Sequence, residues 1–246
     1  MKELKLTEGI TLINADCNDI LPTYTQNQFE VAIVDPPYFS GPEKKKYYGK
    51  SESKEGIKRA NYTQLAKEDW QIPTPDYFDK VIHCSQNQII WGCNYFNYPF
   101  GHGRFVWDKV NGASSFSDAE IAYISYHNSV RLYQYMWNGM MQGESPLNGL
   151  KMQGNKALNE KRIHQCQKPI NLYKYQIAKY THPTDTILDT HAGSASIVIA
   201  AHQLGRKIVA IEKNQKVFAK AVKRIEHYLN QANKNPEIFS KTEFQT

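Results

Sequence analysis

Two acidic residues, each closing an apolar run, are the groups in this sequence best placed to do chemistry. The first is Asp35, where Val31-Ala32-Ile33-Val34 stops at Asp35-Pro36-Pro37-Tyr38. Four consecutive aliphatic residues read as a strand buried on both faces. Neither proline can donate to a ladder, and each drives its predecessor toward extended backbone. The strand therefore ends in a stiff arm carrying a carboxylate and an aromatic ring, at the kind of strand end where open α/β sheets bind ligands. Taken alone, the stretch is equally a strand followed by a proline turn. The second acid is Asp189, which closes Thr186-Ile187-Leu188 and is followed by the small residues Ala192, Gly193, Ser194 and Ala195. An apolar helix and then Lys207-Ile208-Val209-Ala210-Ile211-Glu212 complete a βαβ unit with an acid after each strand. Small residues let a backbone approach a ligand closely, and the later carboxylate is spaced to grip ribose hydroxyls. Only Gly193 is glycine between Asp189 and Leu204, so the pyrophosphate cradle of NAD or FAD sites is disfavoured. The acids favour a ligand with a hydroxyl-rich or cationic end.

The elements that must carry these groups follow in chain order. Residues 10–16 read as another buried strand with Asp16 at its end, and residues 19–21 as a short helix or turn. Residues 41–60 hold seven Lys or Arg against three Glu, four Gly or Pro, and Tyr47-Tyr48, which describes a basic loop. Pro75-Asp76 starts a helix with apolar spacing at Tyr77, Phe78, Val81 and Ile82. Strands are expected at 88–92, 104–108, 120–126 and 130–137, the last two forming an antiparallel hairpin about His127-Asn128-Ser129. Residues 138–162 have little periodicity and are a candidate target-recognition insertion. A helix from Pro169 to Tyr180 precedes the βαβ unit, an amphipathic helix runs from Gln215 to about Asn230, and the tail after Ala232 is expected to fray.

The 246 residues suit one α/β domain spanning 1–246. No window approaches the roughly eighteen apolar residues of a membrane span, and the N-terminus lacks the pattern of a secretory signal, so a cytoplasmic protein is expected. Cys17, Cys84, Cys93 and Cys166 have no Cys-x-x-Cys spacing, which argues against zinc and for reduced, mostly buried thiols. A net charge of +6 permits a polyanionic partner.

Asp35-Pro-Pro-Tyr38 followed by Asp189-Thr-His-Ala-Gly-Ser-Ala195 resembles the β-class DNA amino-methyltransferases that use S-adenosylmethionine. Asp16, Trp91-Gly-Cys-Asn-Tyr-Phe96, Trp107-Asp-Lys109 and His164-Gln-Cys-Gln-Lys-Pro169 sit in the order this family would have them, so the resemblance spans about residues 10–230. It departs at Thr190-His191, where the family has Pro-Phe, at Ala195, where it has glycine, and at Gln165-Cys166, where it has Pro-Thr. Altered cofactor binding is the expected consequence.

The resemblance implies a permuted Rossmann-like methyltransferase fold, a mostly parallel sheet with an antiparallel hairpin and helices on both faces. It implies S-adenosylmethionine as cofactor, with Asp16, Cys17 and Glu212 at its nucleoside end. Asp35, Asp189, His191, Ala192, Gly193, Ser194, Gln167 and Lys168 would complete the pocket. Asp35, Pro36, Pro37 and Tyr38 would be catalytic. The Asp35 carboxylate and Pro36 carbonyl would hold a base amine and Tyr38 would stack on the flipped base. Double-stranded DNA is the implied partner, with Lys44, Lys45, Lys46, Lys50, Lys58 and Arg59 the candidate phosphate contacts; a homodimer and a cognate restriction endonuclease are further candidates. Asp at the first catalytic position favours adenine N6. Cytosine N4, another amine acceptor and a catalytically silent DNA-binding subunit remain open.

Overall fold

A computed structural model describes residues 1–38, 70–111, 117–138, 141–144, 159–163 and 166–235. Among the described residues ten strands form one sheet. They are β1 (Lys2–Thr7), β2 (Ile10–Asn14), β3 (Phe29–Val34), β4 (Ser85–Trp91), β5 (Arg104–Asp108), β6 (Ala119–Ile124), β7 (Val130–Asn138), β8 (Met141–Glu144), β9 (Thr186–Asp189) and β10 (Lys207–Glu212). Their spatial order is β1-β2-β10-β9-β3-β4-β6-β5-β7-β8. The central strands β2, β10, β9, β3 and β4 run parallel. The last two described strands, β9 and β10, thus lie between β2 and β3, so the sheet is permuted.

Side-chain alternation explains why such continuous apolar runs are needed. Val31 and Ile33 of β3 enter one core while Ala32 and Val34 enter the other, and Ile89 and Ile90 of β4 divide in the same way. The first core packs under α3 (Ile170–Tyr180), α4 (Ser196–Gln203) and α5 (Gln215–Lys234), through Leu172, Ile177, Ile197, Phe218 and Ile225. The second packs under α1 (Cys17–Ile20) and α2 (Pro75–Cys84), through Ile20, Tyr77, Phe78 and Val81. Each fully buried aliphatic or aromatic side chain contributes about 1.5–3 kcal/mol, so both faces of the sheet are held strongly.

This layering creates the ligand crevice. The connection from β9 to β10 passes through α4 on one face, and that from β3 to β4 reaches α2 on the other. Neighbouring strands β9 and β3 therefore send their chains apart, which opens a groove beyond their C-terminal ends.

Three expectations need correction. The strands flanking His127-Asn128-Ser129 are antiparallel in direction but do not pair, because β5 lies between them, antiparallel to β6 and parallel to β7. Phe105 and Trp107 of β5 are almost fully buried, and inserting it there supplies two strand edges at once. The antiparallel hairpins are β1–β2 and β7–β8 instead. Residues 141–144 pair with β7, so part of the 138–162 stretch is regular sheet. Asp16 lies two residues beyond β2, where it caps α1 by accepting from the Asn18 N–H at 2.9 Å. None of the four cysteines is in a disulfide, and Cys17, Cys84 and Cys93 are buried. Residues 39–69, with the basic loop, and His164-Gln165 lie outside the described residues. Among the described residues no helix is long and apolar enough to cross a membrane.

Candidate active site

The Asp35 arm and the Gly193 turn open onto one cleft of about 260 Å³. Asp35, Pro36, Pro37 and Tyr38 form part of its wall, as do His191, Ala192, Gly193 and Ser194. Asp16, Cys17, Gln167, Lys168 and Glu212 line it too. Asp189 does not. It is 3% exposed behind the turn, and its Oδ1 accepts from the His191 N–H at 3.0 Å. The cleft also takes in residues that sequence spacing did not single out, chiefly Trp70 to Thr74 ahead of α2, and Lys213.

The turn is held by its own acids. Glu212 accepts from the Gly193 N–H at 2.9 Å through one oxygen and from the Asn214 N–H at 2.8 Å through the other. Gly193 has φ of +51°, and a Cβ built on it would meet only the His191 carbonyl, at 3.7 Å. A side chain there would project toward the ligand space, so glycine keeps the cradle open. Ala195, where the resembled family has glycine, adopts φ 60° and ψ 29°, a left-handed conformation costing an L-residue about 1–2 kcal/mol. Its methyl is buried, and Ala195 is not part of the cleft wall. His191 meets Tyr77 edge to face at 5.6 Å, and its Nδ1 lies 2.9 Å from the Thr190 hydroxyl. Burial depresses the His191 imidazole to about 4 and lifts the Asp189 carboxyl to about 8, so both are predominantly neutral near pH 7.

Beyond Asp35 lies a chain of buried charge. The Lys168 ammonium pairs with Asp35 Oδ1 and, at 3.1 Å, with Glu120 Oε2. Lys109 meets the other Glu120 oxygen at 2.5 Å. Burial raises the Asp35 carboxyl despite the opposing pull of Lys168. For Glu120 burial acts in the same direction, but Lys168 and Lys109 overcome it and hold the group at about 2. Burial works against the Lys168 charge, and Asp35 with Glu120 more than offsets it. Tyr38 joins this chain by donating its hydroxyl to Glu120 Oε2 at 2.6 Å, while its ring stacks on Tyr95 at 5.2 Å. A second cavity lies on that side, walled by Tyr38, Tyr95, Lys109, Glu120 and Lys168. At the other end of the first cleft, Lys213 pairs with Asp16 at 2.9 Å.

The donor set fits S-adenosylmethionine. Carboxylates stand at the end of β10 and two residues beyond β2, a glycine cradle adjoins them, and among the described residues no phosphate-binding arrangement of amides accompanies them. The sheet order, the crevice at the switch between β9 and β3, and this cleft are those of a Rossmann-like methyltransferase fold. Comparison with known proteins narrows the class. Residues 126–223 match the N6/N4 methyltransferase family model, described as DNA methylase. YubD of Escherichia coli (strain K12) is 25% identical over 206 residues, covering 81% of this chain and 83% of YubD. Among solved structures, an M1.HpyAVI–SAM complex aligns with a TM-score of 0.51 at 16% identity, over 87% of this chain and 98% of that one. The cytosine-N4-specific PvuII DNA methyltransferase aligns with a TM-score of 0.51 at 14% identity, over 98% and 89%. Over residues 126–223 the chain is therefore similar to the N6/N4 family of DNA methylases, and the fold it shares with M1.HpyAVI is seen there in complex with S-adenosylmethionine.

Proposed function

We propose that this protein methylates the exocyclic N6 of an adenine flipped out of double-stranded DNA. The observation that carries the reading is the meeting of the Asp35 arm and the Gly193 turn, remote in sequence, across one cleft. S-adenosylmethionine supplies an electrophilic methyl group when bound. Asp16, Cys17 and Glu212 would hold its nucleoside end, and Gln167 and the 191–194 turn its methionine end.

An exocyclic amine on a base is a poor nucleophile because its lone pair is delocalised into the ring. The Asp35 carboxylate and the Pro36 carbonyl would accept its two N–H groups, favour a pyramidal nitrogen and aim the lone pair into the cleft. Asp35, whose proton affinity burial raises, would accept the proton that the methylated nitrogen sheds. Tyr38 would offset part of the unstacking cost by stacking on the flipped base, on the face turned away from Tyr95. Pro37 keeps the arm stiff. The carboxylate at the first position of the tetrapeptide supports adenine over cytosine. Lys44, Lys45, Lys46, Lys50, Lys58 and Arg59 are the proposed phosphate contacts.

The test is mass spectrometry of nucleosides from unmethylated DNA incubated with the protein and S-adenosylmethionine. N6-methyl-2′-deoxyadenosine is the expected product. N4-methyl-2′-deoxycytidine would move the reading to the other base, and unmodified DNA would overturn it.

A further inference from the structure

We infer that Glu120 is a positioning residue for methyl transfer, fixing the acid and the ring of the catalytic arm in one geometry. The inference rests on the proposed roles of Asp35 and Tyr38. Glu120 stands near the start of β6, which runs antiparallel to β4, so it emerges at the sheet edge where the parallel strands end. One of its oxygens does two things there. It accepts the Tyr38 hydroxyl at 2.6 Å, and it lies 3.1 Å from the Lys168 ammonium. Lys168 in turn clamps Oδ1, the inner oxygen of Asp35, which has no solvent access. Its side chain is 3% exposed and that of Asp35 16%, so the clamp leaves the outer part of the carboxylate toward solvent.

The consequence is a rigid link. An arm built from Pro36 and Pro37 is stiff along its backbone, but the torsions of Asp35 and Tyr38 are not set by the prolines. Glu120 sets the ring directly and the carboxylate through Lys168. Lys109, on the far oxygen of Glu120, balances the charge so that two carboxylates and two ammonium groups share the buried space. Glu120 touches neither the cofactor cradle around Gly193 nor the acids at Asp16 and Glu212. It should therefore affect the methyl-transfer step without affecting cofactor affinity.

The experiment compares the parent with Glu120→Gln, Glu120→Asp, Tyr38→Phe and the Tyr38→Phe/Glu120→Gln double variant. Tritiated methyl transfer to unmethylated genomic DNA gives kcat and the DNA KM, and calorimetry gives the S-adenosylmethionine Kd. Glu120→Gln is expected to lower kcat by about ten- to a hundredfold, the scale of a misplaced reacting group. Its DNA KM and cofactor Kd should stay within about twofold of the parent, and Glu120→Asp should recover part of the lost rate. Because Tyr38 and Glu120 act as one unit, the double variant should be within about twofold of Glu120→Gln. Parent-like turnover in Glu120→Gln, an equal loss of cofactor affinity, or multiplying losses in the double variant would overturn the inference while leaving the methyltransferase reading standing. A parent that labels no DNA would overturn that reading, and this one with it.

Discussion

Gly92 lies so close to Tyr38 that a Cβ built on it would overlap the Cγ and Cδ1 atoms of the ring. Its φ of +71° is a conformation that L side chains rarely adopt, and its N–H donates to the Ile121 carbonyl at 2.9 Å. The glycine that ends β4 thus makes room for the ring that ends the arm of β3. Gly92→Ala should cost about 2–4 kcal/mol, from left-handed strain and overpacking together. It should also lower methyl transfer by about an order of magnitude or more as Tyr38 is pushed off Tyr95. Thermal unfolding and single-turnover labelling would read the two effects, and parent-like values in both would contradict the contact.

Tyr38→Ala separates base stacking from cofactor binding. Stacking of a base on an aromatic ring contributes about 1–3 kcal/mol, so transfer to DNA should fall by about ten- to a hundredfold. The cofactor Kd, measured by calorimetry, should change far less. Equal losses in both would remove the stacking role.

His191 and Asp189 give pH dependences of opposite sign. His191 is held at about 4 against an ordinary 6.5, so between those values the unfolded chain binds more protons and stability falls as pH falls. Asp189 is held at about 8 against 3.8, so across that window the folded chain binds more protons and stability falls as pH rises. In the parent the two offset each other from about pH 4 to 6.5, and only the Asp189 decline continues to pH 8. His191→Phe, which keeps a ring against Tyr77, should lose stability steadily as pH rises from 4. Asp189→Asn should gain stability up to 6.5 and then stay level. Urea unfolding at pH 4.5, 6.5 and 8 distinguishes the three curves, and parallel curves would show that neither group is perturbed.

Glu160 ties the segment before α3 to two other helices. It accepts from Arg224 at 2.7 Å, Gln167 at 2.7 Å, the Ser196 hydroxyl at 3.1 Å and the Ile170 N–H at 2.8 Å. Glu160→Ala leaves the largely buried Arg224 unpaired, and should cost about 3–5 kcal/mol. Adding Arg224→Met should return part of that loss. Denaturant titration measures both, and a loss below about 1 kcal/mol, the scale of an exposed pair, would mean that water already screens it.

Much of this architecture is readable from the chain because a parallel strand buried on both faces must be apolar throughout. Val31–Val34 and Ile208–Ile211 announce themselves in that way, and the acids that follow them mark the functional edge. The switch between β9 and β3 then brings Asp35 and Gly193 together with no further information needed. Glu120 could not be found by the same logic. It lies at the start of its strand, and a strand start reaches that edge only if the strand is antiparallel to β4. The pairing of β6 depends on β5 intervening before β7, and local alternation in the two strands does not encode which neighbour each takes. Trp70 to Thr74 carry no periodicity and reach the cleft through tertiary packing alone. Lys168 was legible as a site residue, but its partners across the sheet edge were not.

The most direct measurement compares the parent with Asp35→Ala, using calorimetry with S-adenosylmethionine and mass spectrometry of methylated nucleosides from DNA. Removing the carboxylate leaves Lys168 paired with Glu120, so the variant should fold and bind the cofactor within about threefold of the parent, a difference below 1 kcal/mol. It should form no methylated base where the parent forms N6-methyl-2′-deoxyadenosine. Sustained methylation by Asp35→Ala would contradict the account at its centre.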